Sequence, residues 1–359
     1  MCIRDSLMTL KISFNSILST GRSYLASSWD SVTNKVSSLA NVVFSKIYAI
    51  YDFPRSTNPV TQGREFQWVP TFVEKFIGET LYPTLLNQNG SLIKESDEFY
   101  GEFSKLVHEV GRELAKNCPR KDLSFEFEVV ENREDNAWCL PGGKIAINLG
   151  LIRHMQHEKD TFGMDRQFTL KEKVAAVLSH EMTHAAARHG GRTIELRYFL
   201  LSIFKLAELA TGFFANKYYN NQINELEKKE TRTQLDQEKL VKLYQTRDSI
   251  SKTIFNFFNL VAYRSILSQW TLCASRSHEL EADKYGMHLI HKVGNSGTAD
   301  EFNETSAEAA VWLQHYFQKA HPTCPGFLGR IIRVFSTHPS SEERLATNQA
   351  TWEELRNHA

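Results

Sequence analysis

Residues 174–191, VAAVLSHEMTHAAARHGG, place His180, Glu181 and His184 in the spacing H-E-x-x-H. On an α-helix, residues four apart differ by about 6 Å of rise and about 40° of rotation, so the two imidazoles leave one face and can share a metal ion. Zinc takes such nitrogens at about 2.0–2.1 Å in a tetrahedron, and a catalytic site uses three protein ligands so that water fills the fourth position. Glu181, about 100° round the helix, can accept a proton from that water and deliver it to a leaving amine. The flanks agree with a helix. Thr169 and Glu172 have capping-box spacing, Val174, Val177 and Leu178 form an apolar face, and Gly190 and Gly191 are expected to stop it. Ordinary helices also carry two surface histidines at this spacing, so a third ligand is required to complete the argument.

The chain of 359 residues has room for a sizeable core, as one large domain or two small ones. Its 42 basic and 42 acidic residues cancel, which gives no signal for nucleic acid or another polyanion. Cys2, Cys118, Cys139, Cys273 and Cys324 are scattered and odd in number, with no C-x-x-C pair, so they make neither a disulfide framework nor a zinc ribbon.

Residues 1–53 are Ser-rich and basic-leaning, without the compact apolar run and small-residue cleavage site of a secretory signal. Val32, Val36, Leu39, Val43, Ile47 and Ile50 recur at helical spacing and form an amphipathic stripe. Such a stripe can lie on a membrane surface, pack on the protein's own body, or belong to a cleaved organellar presequence. Residues 54–70, PRSTNPVTQGREFQWVP, read as an extended connector into a catalytic domain over 54–359. Helical periodicity follows over 72–86 and 95–116, the second with Phe99, Phe103, Leu106, Val110 and Leu114 on one face. Phe125, Phe127 and Val129 alternate with Glu126 and Glu128 as a half-buried strand. NAWCLPGGKIAIN, residues 136–148, reads as two short strands hinged by Pro141, Gly142 and Gly143, and an edge strand there could pair with an extended peptide.

Downstream of the metal helix, residues 194–216 are apolar but broken by Glu195, Arg197, Lys205 and Glu208, too interrupted for a simple membrane span. Residues 220–250 carry balanced charge without Pro or Gly and read as one solvated helix, and 253–275 are Phe-rich with only Arg264 interrupting. A helical hairpin over about 194–275, packed on the domain or against lipid, is the resulting expectation.

RSHELEADKYGMHLI, residues 276–290, sets Glu279 and Asp283 four apart on one helical face. Glu279 is the candidate third ligand. Asp283 is placed to accept a hydrogen bond from the far ring nitrogen of a ligand histidine, fixing its tautomer. On its own, E-x-x-x-D is a common charged face; its weight comes from the combination.

Taken together, NPVTQGRE, the PGG segment, SHEMTHAAARH, SHELEADKYG and THPSSEER make the chain resemble the zinc metallopeptidase family of the CAAX prenyl protease and the HtpX membrane peptidases. The connector and the weak spanning signals make it most similar to the subgroup of a mitochondrial inner-membrane peptidase and its bacterial periplasmic relatives. The resemblance covers about 58–348. It implies one zinc ion per chain on His180, His184 and Glu279, Glu181 as general base and acid, and Asp283 behind the ligands. It further implies His338 as a donor facing the reacting carbonyl, Arg344 as an orienting cation, and Asn136 and Ala137 as the edge that pairs with substrate.

The fold expected is α+β but mainly α, a zincin-type (gluzincin) domain with a small β-sheet beside the metal-binding helix. The activity expected is zinc-dependent endopeptidase cleavage of extended protein or peptide substrates, in quality control of membrane-associated proteins. The implied location is the bacterial inner membrane or periplasm, or the mitochondrial inner membrane, with a peripheral soluble form allowed; oligomeric state is left open. The competing readings are a noncatalytic metal-binding scaffold, against which an intact Glu181 argues, and a CAAX-type processing peptidase, which needs a membrane-enclosed chamber. His189 misses a metzincin-type third ligand by one position, and His278 is expected on another helix face. Both, with the remaining histidines, read as packing or surface residues. Residues 340–355 read as a charged helix with Leu345 and Trp352 available to dock.

Overall fold

The computed structural model describes residues 55–257, 267–296, 302–303, 305–320 and 342–357. The stripe at 32–50 and the motif containing His338 lie outside the described residues. The described chain falls into two compact units, one drawn from 56–195 and 274–359 and the other from 196–273.

The first unit opens with a two-stranded sheet, β1 (Arg55–Thr57) and β2 (Arg64–Phe66). Asn58 organises the turn between them: its side-chain oxygen accepts from the backbone N–H of Val60 and Thr61, and its amide donates to the Ala187 carbonyl at 3.0 Å. Next come α1 (Thr71–Asn89), β3 (Leu92–Ile93), α2 (Gly101–Asn117), β4 (Glu126–Val130), β5 (Ala137–Leu140), β6 (Lys144–Asn148) and α3 (Leu149–His157). The strands form a four-stranded sheet in the order β3-β4-β6-β5, parallel only between β4 and β6.

Period-two alternation gives this sheet two apolar faces. Phe127, Val129, Ala137, Ile145 and Ile147 join the main core with Val107, Val110 and Leu114 of α2. Val130, Trp138, Leu140 and Ala146 instead meet Tyr82, Leu85 and Leu86 of α1. Helix α1 is thereby a covering layer more than a core helix: Phe72 and Phe76 stay exposed. Phe99 is also exposed, because α2 begins two residues after it and its buried stripe runs through Val107, Val110 and Leu114.

Helix α4 (Leu170–Ala186) is the centre of the unit. Every residue from Glu172 to Thr183 is buried, so the single apolar face expected from the sequence gives way to burial all round, between the sheet, α2, α3 and α8. Its capping box is complete: Thr169 accepts from the Glu172 N–H, and Glu172 accepts from the Thr169 N–H at 2.9 Å. Glu172 also takes Arg166 and the Ser306 hydroxyl, which ties the helix start to the turn at Ser306–Glu308 and to α8 (Ala309–Ala320).

The helix ends differently from the expectation. Arg188 adopts a left-handed conformation at φ 60°, and α5 (His189–Glu227) starts at once, with Gly190 and Gly191 inside its first turn. Those glycines serve close approach: a Cβ on Gly190 would meet Pro141, and one on Gly191 would meet the Glu74 carboxylate. The strained Arg188 is held by carboxylates. Its guanidinium lies 3.0 Å from Glu195, 3.2 Å from Glu74 and 3.3 Å from Glu65, and it donates to the Val69 carbonyl. Helices α7 (Leu267–Asn295) and α9 (Glu342–Asn357) complete the unit, with Trp352 of α9 buried as expected and Leu345 half-buried.

In the second unit, α5 runs on to Glu227 and is followed by α6 (Gln234–Phe257). The single helix expected over 220–250 is therefore two, because Thr233 and Asp236 form a reciprocal cap that starts α6 afresh. The Tyr244 hydroxyl donates to Glu227, and Arg247 donates to Asn220, pairing the two helices. Among the described residues, no helix is long and apolar enough to cross a membrane.

Two outcomes test the α4 cap. Thr169→Ala should lower stability by about 1 kcal/mol in urea denaturation. Burial acts to raise the Glu172 pKa, but the hydrogen bonds and charge of Arg166, Thr169 and Ser306 prevail and depress it below the ordinary glutamate value of 4.5. With the folded value below the unfolded one, the contribution is present above about pH 4.5 and is lost as pH falls through the folded value. Glu172→Gln should therefore flatten that part of the acid denaturation curve.

Candidate metal centre

Helices α4 and α7 meet at a buried cluster. His180 and His184 come from α4, one turn apart, and Glu279 and Asp283 from α7, also one turn apart. Gly286 lets α7 come this close, since a Cβ there would sit 3.2 Å from the backbone N of His180 and from Ser179. The His180 and His184 Nε2 atoms are 3.1 Å apart. Glu279 Oε2 lies 3.3 Å from His180 Nε2, and its other oxygen, Oε1, lies 3.3 Å from His184 Nε2. One ligand atom from each residue lies within 4.8 Å of the other two.

Two imidazole nitrogens and one carboxylate oxygen facing a common point are a donor set suited to zinc, with a fourth position left for water or substrate. The cluster attracts positive charge. Burial disfavours the charged form of His180, but hydrogen bonds and Coulomb attraction from Asp283 and Glu279 outweigh it and raise its pKa to about 10. A proton and a divalent cation thus compete for the same place, so metal affinity should weaken on acidification. For His184 burial prevails and its pKa falls.

The groups behind this cluster are hydrogen-bonded in their turn. Asp283 Oδ1 is 2.9 Å from His180 Nδ1, the far ring nitrogen. Arg344 of α9 grips Asp283 with two parallel bonds of 2.6 and 2.7 Å, and its third nitrogen is 3.0 Å from Glu279. Gln314 of α8 donates to Asp283 at 3.3 Å. Burial would raise the Asp283 pKa, yet Arg344 and His180 bring it below the usual carboxylate value; burial would lower that of Arg344, yet Asp283 and Glu279 raise it. Arg344 is thus a buried cation paired with both carboxylates. Glu181 is buried beside this cluster, and its charge acts on His184, Arg344 and Cys139.

On the far nitrogen of His184 the structure adds a partner that the sequence reading passed over. His189 Nδ1 lies 2.9 Å from His184 Nδ1, and His189 Nε2 lies 3.1 Å from Glu281 of α7. His278 stacks flat on His189, ring centroids 4.3 Å apart with 5° between planes. Arg192 holds Glu281 at 2.5 Å. Burial pushes both His189 and His278 well below the ordinary imidazole value. His189 fails the metzincin spacing, and it stands against His184 across the left-handed break at Arg188 that separates α4 from α5. The signal available in the sequence was its companion residues, His278 and Glu281, within the same segment as Glu279 and Asp283.

Strand β5 lies at the edge of the four-stranded sheet, paired only with β6 among the described residues. The Asn136 carbonyl accepts from the Asn148 N–H at 2.9 Å, and the Asn136 N–H donates to Glu134. Antiparallel alternation then turns the backbone groups of Ala137 and Cys139 to the open side. Ala137 thus lies on the edge strand, whereas Asn136 has both backbone groups engaged, one with Asn148 of β6 and one with Glu134 in the preceding loop. The Cys139 thiol is pushed well up by burial, and by the neighbouring charge of Glu181.

Arg344→Met would strand two buried carboxylates without their counter-charge. It should destabilise the protein by about 3–5 kcal/mol in urea denaturation, and an added Asp283→Leu should recover part of the loss.

A model of peptidase family M48 matches residues 104–351. The chain is 22% identical over 287 residues to the mitochondrial metalloendopeptidase OMA1 of Schizosaccharomyces pombe, covering 80% of this chain and 63% of that protein. It is 26% identical over 125 residues to a putative beta-barrel assembly-enhancing protease of Vibrio cholerae, covering 35% of this chain and 22% of that one. Over 67 residues it is 37% identical to the mitochondrial metalloendopeptidase OMA1 of Arabidopsis thaliana, covering 19% of this chain and 11% of the relative. The chain thus spans less than two thirds of the length of these relatives.

Proposed function

The chain belongs to peptidase family M48, and from that premise we propose that it is a zinc metalloendopeptidase of gluzincin type. The observation that carries this reading is the convergence of His180, His184 and Glu279 on one point, with Glu181 next to His180 on the same helix. In this reading one zinc ion per chain is held by those three residues, and when bound it supplies Lewis-acid chemistry that polarises a carbonyl and acidifies water.

The protein's own groups do the rest. Glu181 receives a proton on its carboxylate from the attacking water and passes it to the leaving nitrogen. Asp283 accepts from His180 Nδ1, leaving Nε2 free to bind metal, and Arg344 keeps Asp283 ionised and holds both carboxylates in line. His338 is assigned, from the family resemblance alone, to donate to the carbonyl oxygen as it gains charge. An extended substrate pairs with the outward backbone of Ala137 and Cys139 on β5, with Asn136 contributing through its side chain.

The peptidase domain is assigned to 54–359, with α5 and α6 within an insertion at about 194–275 and residues 1–53 as a leader or membrane-associating segment. The substrates proposed are exposed segments of membrane-associated proteins, in keeping with the names of the mitochondrial and beta-barrel-assembly relatives. The proposed place of action is a membrane surface of the mitochondrial inner membrane or the bacterial periplasm.

Glu181→Gln tests the chemistry. The purified variant should retain one zinc per chain by metal analysis and lose casein hydrolysis by about 10²–10⁴-fold, and a chelator should abolish wild-type activity. Full activity in the zinc-loaded variant would sink the assignment, and zinc binding with no hydrolysis by wild type would favour a scaffold.

A further inference from the structure

Metal coordination through His184 Nε2 puts a constraint on the other side of that ring. A neutral imidazole bound through Nε2 carries its proton on Nδ1, so Nδ1 must donate. The atom it faces, 2.9 Å away, is His189 Nδ1, which must then be unprotonated and accept. A neutral His189 with a bare Nδ1 carries its proton on Nε2, and Nε2 faces the Glu281 carboxylate at 3.1 Å. Each choice forces the next, and every donor finds an acceptor in one tautomer arrangement. Glu281 is anchored in turn by Arg192, whose two terminal nitrogens are 2.5 and 3.3 Å from its two oxygens. His278, stacked on His189, covers the middle of the chain.

We infer that His189 and Glu281 are positioning residues that fix the tautomer and ring orientation of His184 and raise its basicity as a metal ligand. Asp283 serves His180 through one direct bond, whereas His184 reaches its carboxylate through a second imidazole. The two ligand histidines therefore have separate supports: Asp283 is held by α9, and Glu281 by Arg192 at the start of α5. This inference rests on the reading of His180, His184 and Glu279 as metal ligands.

The test is zinc affinity of the full chain, by competition with a chromophoric chelator, alongside the visible spectrum of the cobalt-substituted protein. His189→Leu should bind zinc about 10–100-fold more weakly and alter the cobalt d–d bands. His189→Asn, whose amide oxygen stands near the position of Nδ1, should restore part of the affinity without reaching Glu281. Glu281→Gln should weaken zinc in the same direction but less, and it decides the matter if His189→Leu does not fold. Wild type that binds zinc while His189→Leu and Glu281→Gln stay within about twofold of it, with unchanged cobalt spectra, would overturn the relay alone, even if the apo-proteins were less stable. Wild type that binds no zinc would overturn the ligand reading and the relay with it.

Discussion

Burying carboxylates is costly unless each finds a cation or donor, and this one constraint shapes the centre of the molecule. Glu181, Glu279 and Asp283 are all nearly inaccessible to solvent. Arg344, equally buried, reaches Asp283 with two nitrogens and Glu279 with the third. That single guanidinium joins α9 to α7, and Asp283 carries the connection to α4 through His180. The donor set is held in place because its charges must be balanced, and the helices that balance them are thereby docked.

A second buried charge cluster governs how the chain leaves the site. Arg188 sits in a left-handed conformation that non-glycine residues seldom adopt, and it persists because Glu65, Glu74 and Glu195 surround it. Arg120 adds to this cluster by donating to Glu74 and, more distantly, to the Ala186 carbonyl. Burial raises the Glu74 pKa despite the Coulomb pull of Arg188 and Arg120. The left-handed break at Arg188 lies between His184 and His189, whose Nδ1 atoms face each other at 2.9 Å. A connector that reads as loop in the sequence, NPVTQGRE, is therefore structural: Asn58 holds the end of α4 through the Ala187 carbonyl, and Glu65 reaches Arg188.

Much of this was legible in the residues. The cap at Thr169, the helical spacing of His180 and His184, the hairpin around Pro141 and the Glu279/Asp283 pair are all local patterns, set by periodicity and by hydrogen bonds over three or four residues, and all stand in the fold. The readings that changed depend on distant neighbours. Gly190 and Gly191 looked like a helix stop, yet they open α5, and their missing side chains make room for Pro141 and Glu74. Phe99 matched an apolar face that packing displaced to Val107 and its neighbours. The Asn136 backbone, expected at the substrate edge, is taken up by Asn148 and Glu134, a matter of strand register.

The sequence by itself determined which groups are proposed to bind metal, because the spacing of candidate ligands on a helix follows from 3.6 residues per turn and needs nothing beyond the segment. Only the tertiary structure decided which groups orient them. Whether His189 is a bystander or stands against His184, and whether Arg344 faces solvent or grips Asp283, turns on how α4, α5, α7 and α9 pack, and these contacts join residues far apart in the chain. The physical reason is that a hydrogen bond behind a ligand is fixed by position to within a few tenths of an ångström, and such positions arise only when charge balance and close packing across several helices are met together.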